Sequence, residues 1–593
     1  MRLMTSKSKN TTSLYVIKST YIDGKHSSKI VEKLGTYEEL KHKLIDKDPI
    51  EWAKEYIKDL NEKQPKKDRD IMINRSQSKL ISRDVQTEFN GGYLFLQDIY
   101  HKLGINHICA QITDKYQFKF DLNSILSRLI YSRIIYPGSK LSTLEQSKKF
   151  IEQPNFELQH IYRALEVIAK ENDFIQSELY KNSLKYSKRN DGILYYDCTN
   201  YFFEITQNDV DGLRQYGKAK QKQGKPLVQM GLFMDGDGIP LAFNITPGNT
   251  NEQVTMTPTE EKILKDFELS RFIVCTDAGL ASEANRKFNS KDARGFITTQ
   301  SVKKLKDFLM TWALDPKGWK SSGVDKTIDL NNLDRMIEES TDKEQIKRLK
   351  NATFYKERWI KENDFEQRLI VTYSIKYRDY QKKIRDSHIE RAQKLINSNP
   401  KKIGKVKQDD FKRFILKTNI TSDGEVAKDV IYEIDNNLIN KEAKFDGFYG
   451  VCTNLEDDVS EIIKVNHRRW EMEECFRIMK SEFEARPVYL SRDDRITAHF
   501  TTCVLALIIF RYLEKKLEDG ASKELLEELT ASRIIDTLRN MNFKESIGDG
   551  YIPHYTRTVL TDLLHDKFNF RTDYEITSHK NLDKICKQTK NRK

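Results

Sequence analysis

The chain is poor in the features that would mark a secreted, membrane-spanning or zinc-binding protein. Its seven cysteines, at 109, 198, 275, 452, 475, 503 and 586, form no CxxC pair. An odd count, with several members in apolar runs, argues against a disulfide framework and a cysteine zinc site and for reduced, buried thiols. "MRLMTSKSKNTTS" at the start has no apolar stretch of the kind a secretory signal carries. The longest apolar run, "CVLALIIF" at 503–510, is far short of the roughly 20 residues that cross a bilayer. These absences predict a cytoplasmic protein with no membrane partner. No internal repeat is visible. "DGDG" at 235–238 opens like a calcium loop, but the twelfth position holds Thr246 where that loop needs glutamate.

What is present is a long, mixed-charge, aromatic-containing chain. Its 593 residues suggest about three to five domains. At 38% hydrophobic and 10% aromatic it can bury several cores and is not disordered as a whole. The net charge of +12 is compatible with a polyanionic partner without requiring one.

Along the chain, residues 14–34 read as two strands around an Asp23–Gly24 turn, and "NEKQPKKDRD" at 61–70 as a linker or exposed helix end. Residues 93–190 have helical periodicity, with Pro137–Gly138 separating two helices. Arg128, Arg133, Lys140, Lys148 and Lys149 are interleaved there with aromatics. From 191 the pattern becomes strand ("GILYYDC"), hairpin (225–245), helix (251–267), strand (271–277), helix and strand (295–300), a mixed α/β domain. A highly charged stretch at 303–440 interrupts it, with helices expected at 331–362 and 377–396, and reads as an inserted subdomain. A strand at 447–454 restores the α/β pattern, and an apolar helix is expected at 497–514, followed by more helices. The tail "HKNLDKICKQTKNRK" is expected to be loose. This gives six segments: 1–85, 86–190, 191–302, 303–440, 441–515 and 516–593.

The most informative segment is "NHRRWEMEECFRIMK", 466–480, which has five basic and three acidic side chains and neither proline nor glycine. Read as one helix at roughly 100° per residue, it places Asn466, Arg469, Glu473 and Lys480 on one narrow face. Met472, Phe476, Met479 and Phe483 form an apolar stripe beside them. An edge laced by an Arg469–Glu473 ion pair would account for much of this pattern. Two aspartates point to a second explanation. Asp197 ends "ILYYD" and Asp277 ends "FIVCTD", each at the C-terminal end of a strand, where open α/β sheets bind ligands. Asp277 alone could simply cap the following helix. Three converging carboxylates, however, repel one another unless divalent cations sit between them. Mg²⁺ takes such oxygens and leaves room for a water and a phosphate.

Asp197, Asp277 and Glu473 resemble the catalytic triad of the DDE transposases of bacterial insertion sequences. The helix resembles the branch with the signature Tyr-x2-Arg-x3-Glu-x6-Lys, with Arg469, Glu473 and Lys480 in place and Asn466 at the tyrosine position. "GIPLAFNITPGNTNE" and "RPVYLSRDDRITAHF" around these elements are similar as well. The resemblance spans roughly 190–515. It implies a ribonuclease-H-like mixed sheet interrupted by a large insertion subdomain between Asp277 and Glu473. Helical regions flank the core, an N-terminal one (86–190) that binds DNA and a C-terminal one (516–593) available for dimerisation. It further implies two Mg²⁺ ions, replaceable by Mn²⁺, held by the three carboxylates. Strand cleavage at terminal inverted repeats and transfer into target DNA would follow, carried out by a homodimer on double-stranded DNA.

On this resemblance Arg469, Lys480, Asn466 and Trp470 are DNA-contact candidates, although packing is the favoured role for Trp470. Thr199, two residues past Asp197, is a candidate to orient a ligand and equally a candidate for a plain turn hydroxyl. Trp312, Trp319 and Trp359 in the insertion are candidates to hold a flipped base. The rival readings are another ribonuclease-H-like nuclease, such as a junction resolvase, a decayed or repurposed transposase that only binds DNA, and an unrelated α/β protein with charged helices.

Overall fold

The computed structural model describes the chain except for residues 9–10, 23–24, 45–46, 64–77, 79, 81–82, 206, 218–223, 322–323, 363–364, 399–409, 421–428, 547–549 and 591–593. The expected Asp23–Gly24 turn and residues 64–70 of the lysine-rich stretch lie outside the described residues. Two compact units emerge, one built on Met1–Val85 and the other on Gln86–Glu545 with Gly550–Lys593.

The first unit is an antiparallel sheet of β1 (Arg2–Lys7), β2 (Thr12–Ile22) and β3 (Lys25–Thr36). The strand β1, not expected from sequence, pairs with β2 from Arg2 opposite Ile17 to Lys7 opposite Thr12. Two helices, Tyr37–Lys43 and Pro49–Lys63, complete a small core around Leu14, Leu40 and Ala53. The first of them starts at Thr36 with a reciprocal Thr36–Glu39 capping box.

Among the described residues, the second unit has two smaller sheets and one large one. The chain runs through β4 (Glu88–Asn90), β5 (Ile193–Phe202), β6 (Leu227–Asp235), β7 (Pro240–Pro247), β8 (Ile273–Thr276) and β9 (Gly295–Gln300). It continues through β10 (Trp319–Ser321), β11 (Val324–Ile328), β12 (Phe354–Glu362), β13 (Phe365–Tyr373), β14 (Ile415–Ile420) and β15 (Asp429–Ile434), then β16 (Phe448–Thr453), β17 (Asn542–Ser546) and β18 (Gly550–Pro553). Ten of these strands form one sheet in the order β11-β10-β12-β13-β16-β9-β8-β5-β6-β7. At one end β5, β6 and β7 make an antiparallel meander, while β8 and β9 run parallel to β5. The β6–β7 turn closes on Gly238 at a φ of 79°. A Cβ there would stand 2.2 Å from Glu471 Oε2, so the turn and the Glu471 helix need a glycine between them.

The insertion contributes β10 to β13 to this same sheet, with β13 pairing against β16. Residues 354–362, expected as the end of a helix, are instead β12, laddered to β13 from Phe354 opposite Tyr373 to Glu362 opposite Phe365. The charged sequence "FYKERWIKE" hides the period of two, and its pairing with the buried "RLIVTY" decides the outcome.

Helices cover one face of the sheet. Asp493–Glu518 is the described helix long and apolar enough to cross a membrane, and it is the buried centre of this layer. Helices Leu122–Ile135 and Leu158–Lys170 pack around it. The opposite face, lined by Leu194, Tyr196 and Cys198, packs on helix Met256–Asp266.

The C-terminal region departs from expectation twice. It is not wholly helical, since β17 and β18 join β4 in a three-stranded sheet, with Asn90 Nδ2 donating to Leu538 O at 2.9 Å. Partners so distant in sequence leave no local signal. As far as Lys590 the tail is not loose either. His579–Thr589 is a helix capped by Ser578, with Leu582, Ile585 and Cys586 buried and Gln97 Nε2 donating to Thr589 Oγ1 at 3.0 Å. Its apolar stripe is diluted by lysines, which suggested a solvated end. All seven cysteines are buried free thiols.

Candidate active site

Strand alternation decides which side chains of β5 face the helical layer. Tyr195 Oη donates to Val465 O at 2.9 Å, Thr199 Oγ1 bonds Lys480 Nζ, and Tyr201 Oη reaches Met479 Sδ at 3.7 Å. Asp197 lies between Tyr195 and Thr199 on this series, so it belongs to the face spanned by residues 465–480. The parallel register sets Tyr195 beside Cys275 of β8. Two residues further along each chain stand Asp197, within β5, and Asp277, immediately past the end of β8.

The two aspartates have different surroundings. Asp277 Oδ1 accepts from the backbone N–H groups of Gly279 at 2.9 Å and Leu280 at 3.1 Å, so this carboxylate also shapes the turn after β8. Asp197 Oδ1 accepts from the Cys198 N–H at 2.7 Å. Both are partly exposed.

The segment 466–480 is not one helix. A helix Val459–His467 ends at a turn formed by Arg468 and Arg469, a second runs Trp470–Arg477, and a π-helical turn follows over Ile478–Glu482. The apolar stripe is nonetheless all buried: Met472, Phe476, Met479 and Phe483. The break reorients the polar residues. Among the described residues Arg469 pairs with no carboxylate; its Nη1 donates to Thr299 Oγ1 of β9 at 2.6 Å. The wider π turn carries Lys480 to Thr199, over the Tyr201 ring with 5.6 Å to its centroid.

The three glutamates of the second helix differ sharply. Glu471 is buried and paired with Arg468 at 3.0 Å and Arg511 at 3.7 Å. Glu474 pairs with Arg477 at 2.6 Å. Glu473 is exposed and has neither an ion pair nor a hydrogen bond among the described residues. The expected Arg469–Glu473 edge is therefore absent.

Asn466 is buried, donating from Nδ2 to Tyr449 Oη at 3.1 Å and accepting from Cys275 Sγ at 3.8 Å. Burial pushes the Cys275 thiol up to about 12 and keeps it protonated. Trp470, expected mainly to pack, is 62% exposed, since the turn at Arg468–Arg469 swings it away from the sheet.

In the insertion, Trp319 is fully buried with Nε1 donating to Asp315 O at 2.8 Å, so it is a core residue and cannot hold a base. Trp312 is partly covered by Arg358, 5.3 Å from its ring centroid, and Trp359 is exposed on β12.

The basic residues of the helical region also divide. Arg128, Arg133 and Lys140 are buried, with Arg128 Nη2 donating to Glu152 O at 2.8 Å and Arg133 Nη1 to Phe483 O at 3.1 Å. Lys148 and Lys149 are exposed.

The residues that sequence did not single out are Thr299, Tyr449, Glu471 and Arg511. Only Glu471 stood within a conspicuous motif, and the others are placed by strand register and tertiary packing. The donor set offered by Asp197, Asp277 and Glu473, all carboxylate oxygen, suits a hard divalent cation. Among the described residues, no three His, Cys, Asp or Glu side chains are close enough to enclose an ion as they stand.

No curated protein matches the chain in sequence. A cryo-EM structure of a piggyBac transposase synaptic complex with hairpin DNA superposes with a TM-score of 0.34 and 8% identity over 83% of each chain. The Transposase DDE domain family matches residues 202–369, a span that contains Asp277, begins after Asp197 and ends before Glu473, and this match supports a transposase function.

Proposed function

We propose that the protein is an insertion-sequence transposase that cuts DNA at terminal inverted repeats and joins the freed ends to target DNA. The observation that carries this reading is the isolation of Glu473. Its neighbours Glu471 and Glu474 are neutralised by arginines, while Glu473 is left open on a helix packed against the sheet that bears Asp197 and Asp277. The strand arrangement β7-β6-β5-β8-β9, a meander followed by two parallel crossovers, supports a ribonuclease-H-like core.

Asp197, Asp277 and Glu473 would hold the divalent ions, two Mg²⁺ with Mn²⁺ able to replace them. When bound, these supply Lewis-acid activation and stabilise charge on the phosphodiester. The chain's own cations position the DNA. Arg469 offers guanidinium N–H groups toward a phosphate while Thr299 fixes its direction. Lys480, held by Thr199 on the strand of Asp197, brings a positive charge to the same edge. Burial of the apolar stripe keeps the helix rigid, so Glu473 is presented on a fixed support. The protein would act in the cytoplasm as a dimer bridging two element ends, with exposed basic residues of the helical region, such as Lys148 and Lys149, available to the flanking duplex.

The test is cleavage and end-joining by the full chain with Mg²⁺ on linear DNA carrying the ends that flank its own gene. Wild type is expected to release 3′-hydroxyl ends, and Glu473→Gln to bind the same DNA without cutting it. Equal cutting by both proteins would remove Glu473 from the site. Specific binding with no cutting by wild type would favour the repurposed DNA-binding protein.

A further inference from the structure

The signature that residues 466–480 resemble has a tyrosine where this chain has Asn466, yet the structure brings a phenol to that place from elsewhere. Tyr449, on β16, directs its hydroxyl at Asn466 Nδ2 at 3.1 Å and at Thr299 Oγ1 at 2.7 Å. Thr299 in turn accepts from Arg469 Nη1 at 2.6 Å. Asn466, Tyr449, Thr299 and Arg469 thus form one hydrogen-bonded chain along the face of the sheet that carries Asp197.

The protons in this chain can be counted. Asn466 and Arg469 are donors at its two ends, and each spends one N–H on a hydroxyl. The two hydroxyls between them own two protons. One lies between Tyr449 and Thr299, whichever of them donates. The other has no acceptor within the chain. When Tyr449 donates, the unspent O–H is Thr299's, beside Arg469; when Thr299 donates, it is Tyr449's, one hydroxyl further along. That second orientation frees the phenol for a ligand, while the other Arg469 N–H groups have no partner among the described residues. Tyr449 and Thr299 are both partly exposed, so this donor set is open to a ligand. An O–H beside arginine N–H groups matches the oxygens of a phosphodiester.

We propose that Tyr449 supplies, from strand β16, the DNA-phosphate-binding phenol that position 466 lacks, and that Asn466 serves to hold it. The proposal rests on the transposase reading above. It carries a counter-intuitive consequence: Asn466→Tyr is not a repair. Position 466 is filled, with Tyr449 on one side and Cys275 on the other, so a second ring there would displace Tyr449.

The experiment compares the full-length wild type with Tyr449→Phe, Asn466→Tyr, Arg469→Ala and Glu473→Gln on end-bearing DNA with Mg²⁺. Cleavage rate, DNA affinity across salt concentrations and melting temperature are all followed. Tyr449→Phe is expected to melt like wild type but to cut roughly 10- to 100-fold more slowly, the loss of one hydrogen bond to a charged group. Its affinity should fall without a change in salt slope, because a neutral hydroxyl displaces no counterion. Arg469→Ala should lower that slope by about 0.9. Asn466→Tyr should cut more slowly than wild type. Wild-type cutting and affinity in Tyr449→Phe, or faster cutting in Asn466→Tyr, would overturn the proposal. Should wild type bind ends but cut nothing, the transposase reading fails by itself. Tyr449 is then judged on affinity, where no loss in Tyr449→Phe overturns it.

Discussion

The helical layer and the rim of the sheet draw on the same residue types and use them in opposite ways. Arg128, Arg133 and Lys140 stand among aromatics in a stretch that reads as a DNA-facing surface, and all three are buried. Arg469 and Lys480 stand in a helix that reads as an ion-paired edge, and both reach across to threonine hydroxyls of the sheet, Thr299 and Thr199. Tryptophan shows the same division, with Trp319 fully buried and Trp470 62% exposed. A basic or aromatic residue becomes a nucleic-acid contact only where packing leaves it open, and a long side chain can spend its charge on backbone carbonyls instead. The net charge of +12 therefore overstates the cations available to DNA.

The largest effect that tests this division is on Trp319. It fills the core under β10 and β12, with Tyr373 and Phe448 rings 6.2 and 5.7 Å away. Trp319→Ala should cost about 3–5 kcal/mol of stability, read as a fall in the denaturant midpoint. Trp359→Ala, on the exposed side of β12, should stay within about 0.5 kcal/mol. Equal costs would mean that burial does not separate these two tryptophans.

Lys140 gives a smaller effect with a defined pH dependence. Its Nζ is buried with no hydrogen-bond partner among the described residues. Burial first, and the nearby Arg133 second, pull its pKa from 10.5 down to about 7. Between those two values the unfolded chain holds a proton that the folded chain has lost, so stability rises with pH from about 7 toward 10.5. Below about 7 the folded state carries the buried charge and the full penalty. Lys140→Met should remove this slope and stabilise the protein at pH 6 by an amount on the order of 1–3 kcal/mol. Thermal melts of both proteins across that range would show it, and parallel curves would mean that Lys140 is neutral or solvated.

Much of this structure was legible because it is written in local periodicity. "ILYYD", "GFITTQ", the 225–245 hairpin and the apolar helix within 493–518 each declare themselves in a few consecutive residues. The stripe Met472, Phe476, Met479 and Phe483 did so as well. The rest depends on partners far away in the chain. β12 becomes a strand because β13 is beside it. Arg469 turns from Glu473 because Thr299, 170 residues earlier, offers an oxygen, and Asn466 meets a phenol from 17 residues upstream. The helix break at Arg468–Arg469 carries no proline or glycine to announce it. At the site, sequence indicated which carboxylates to examine but not how the cations between them are held.

Trp470 gives the smallest stability effect and the sharpest comparison with Trp319. It stands beside a cavity of about 530 Å³ lined also by Tyr355, Lys464, His467 and Arg468. Because its ring is largely in water already, Trp470→Ala should change stability by no more than about 0.5 kcal/mol. If the ring stacks on a base near the cut, the same substitution should weaken DNA binding by about 1–3 kcal/mol. That loss should be larger for ends with unpaired flanking bases, where no base pair has to open first. Stability and affinity would then move independently at Trp470, whereas at Trp319 any loss of binding should only follow the loss of fold.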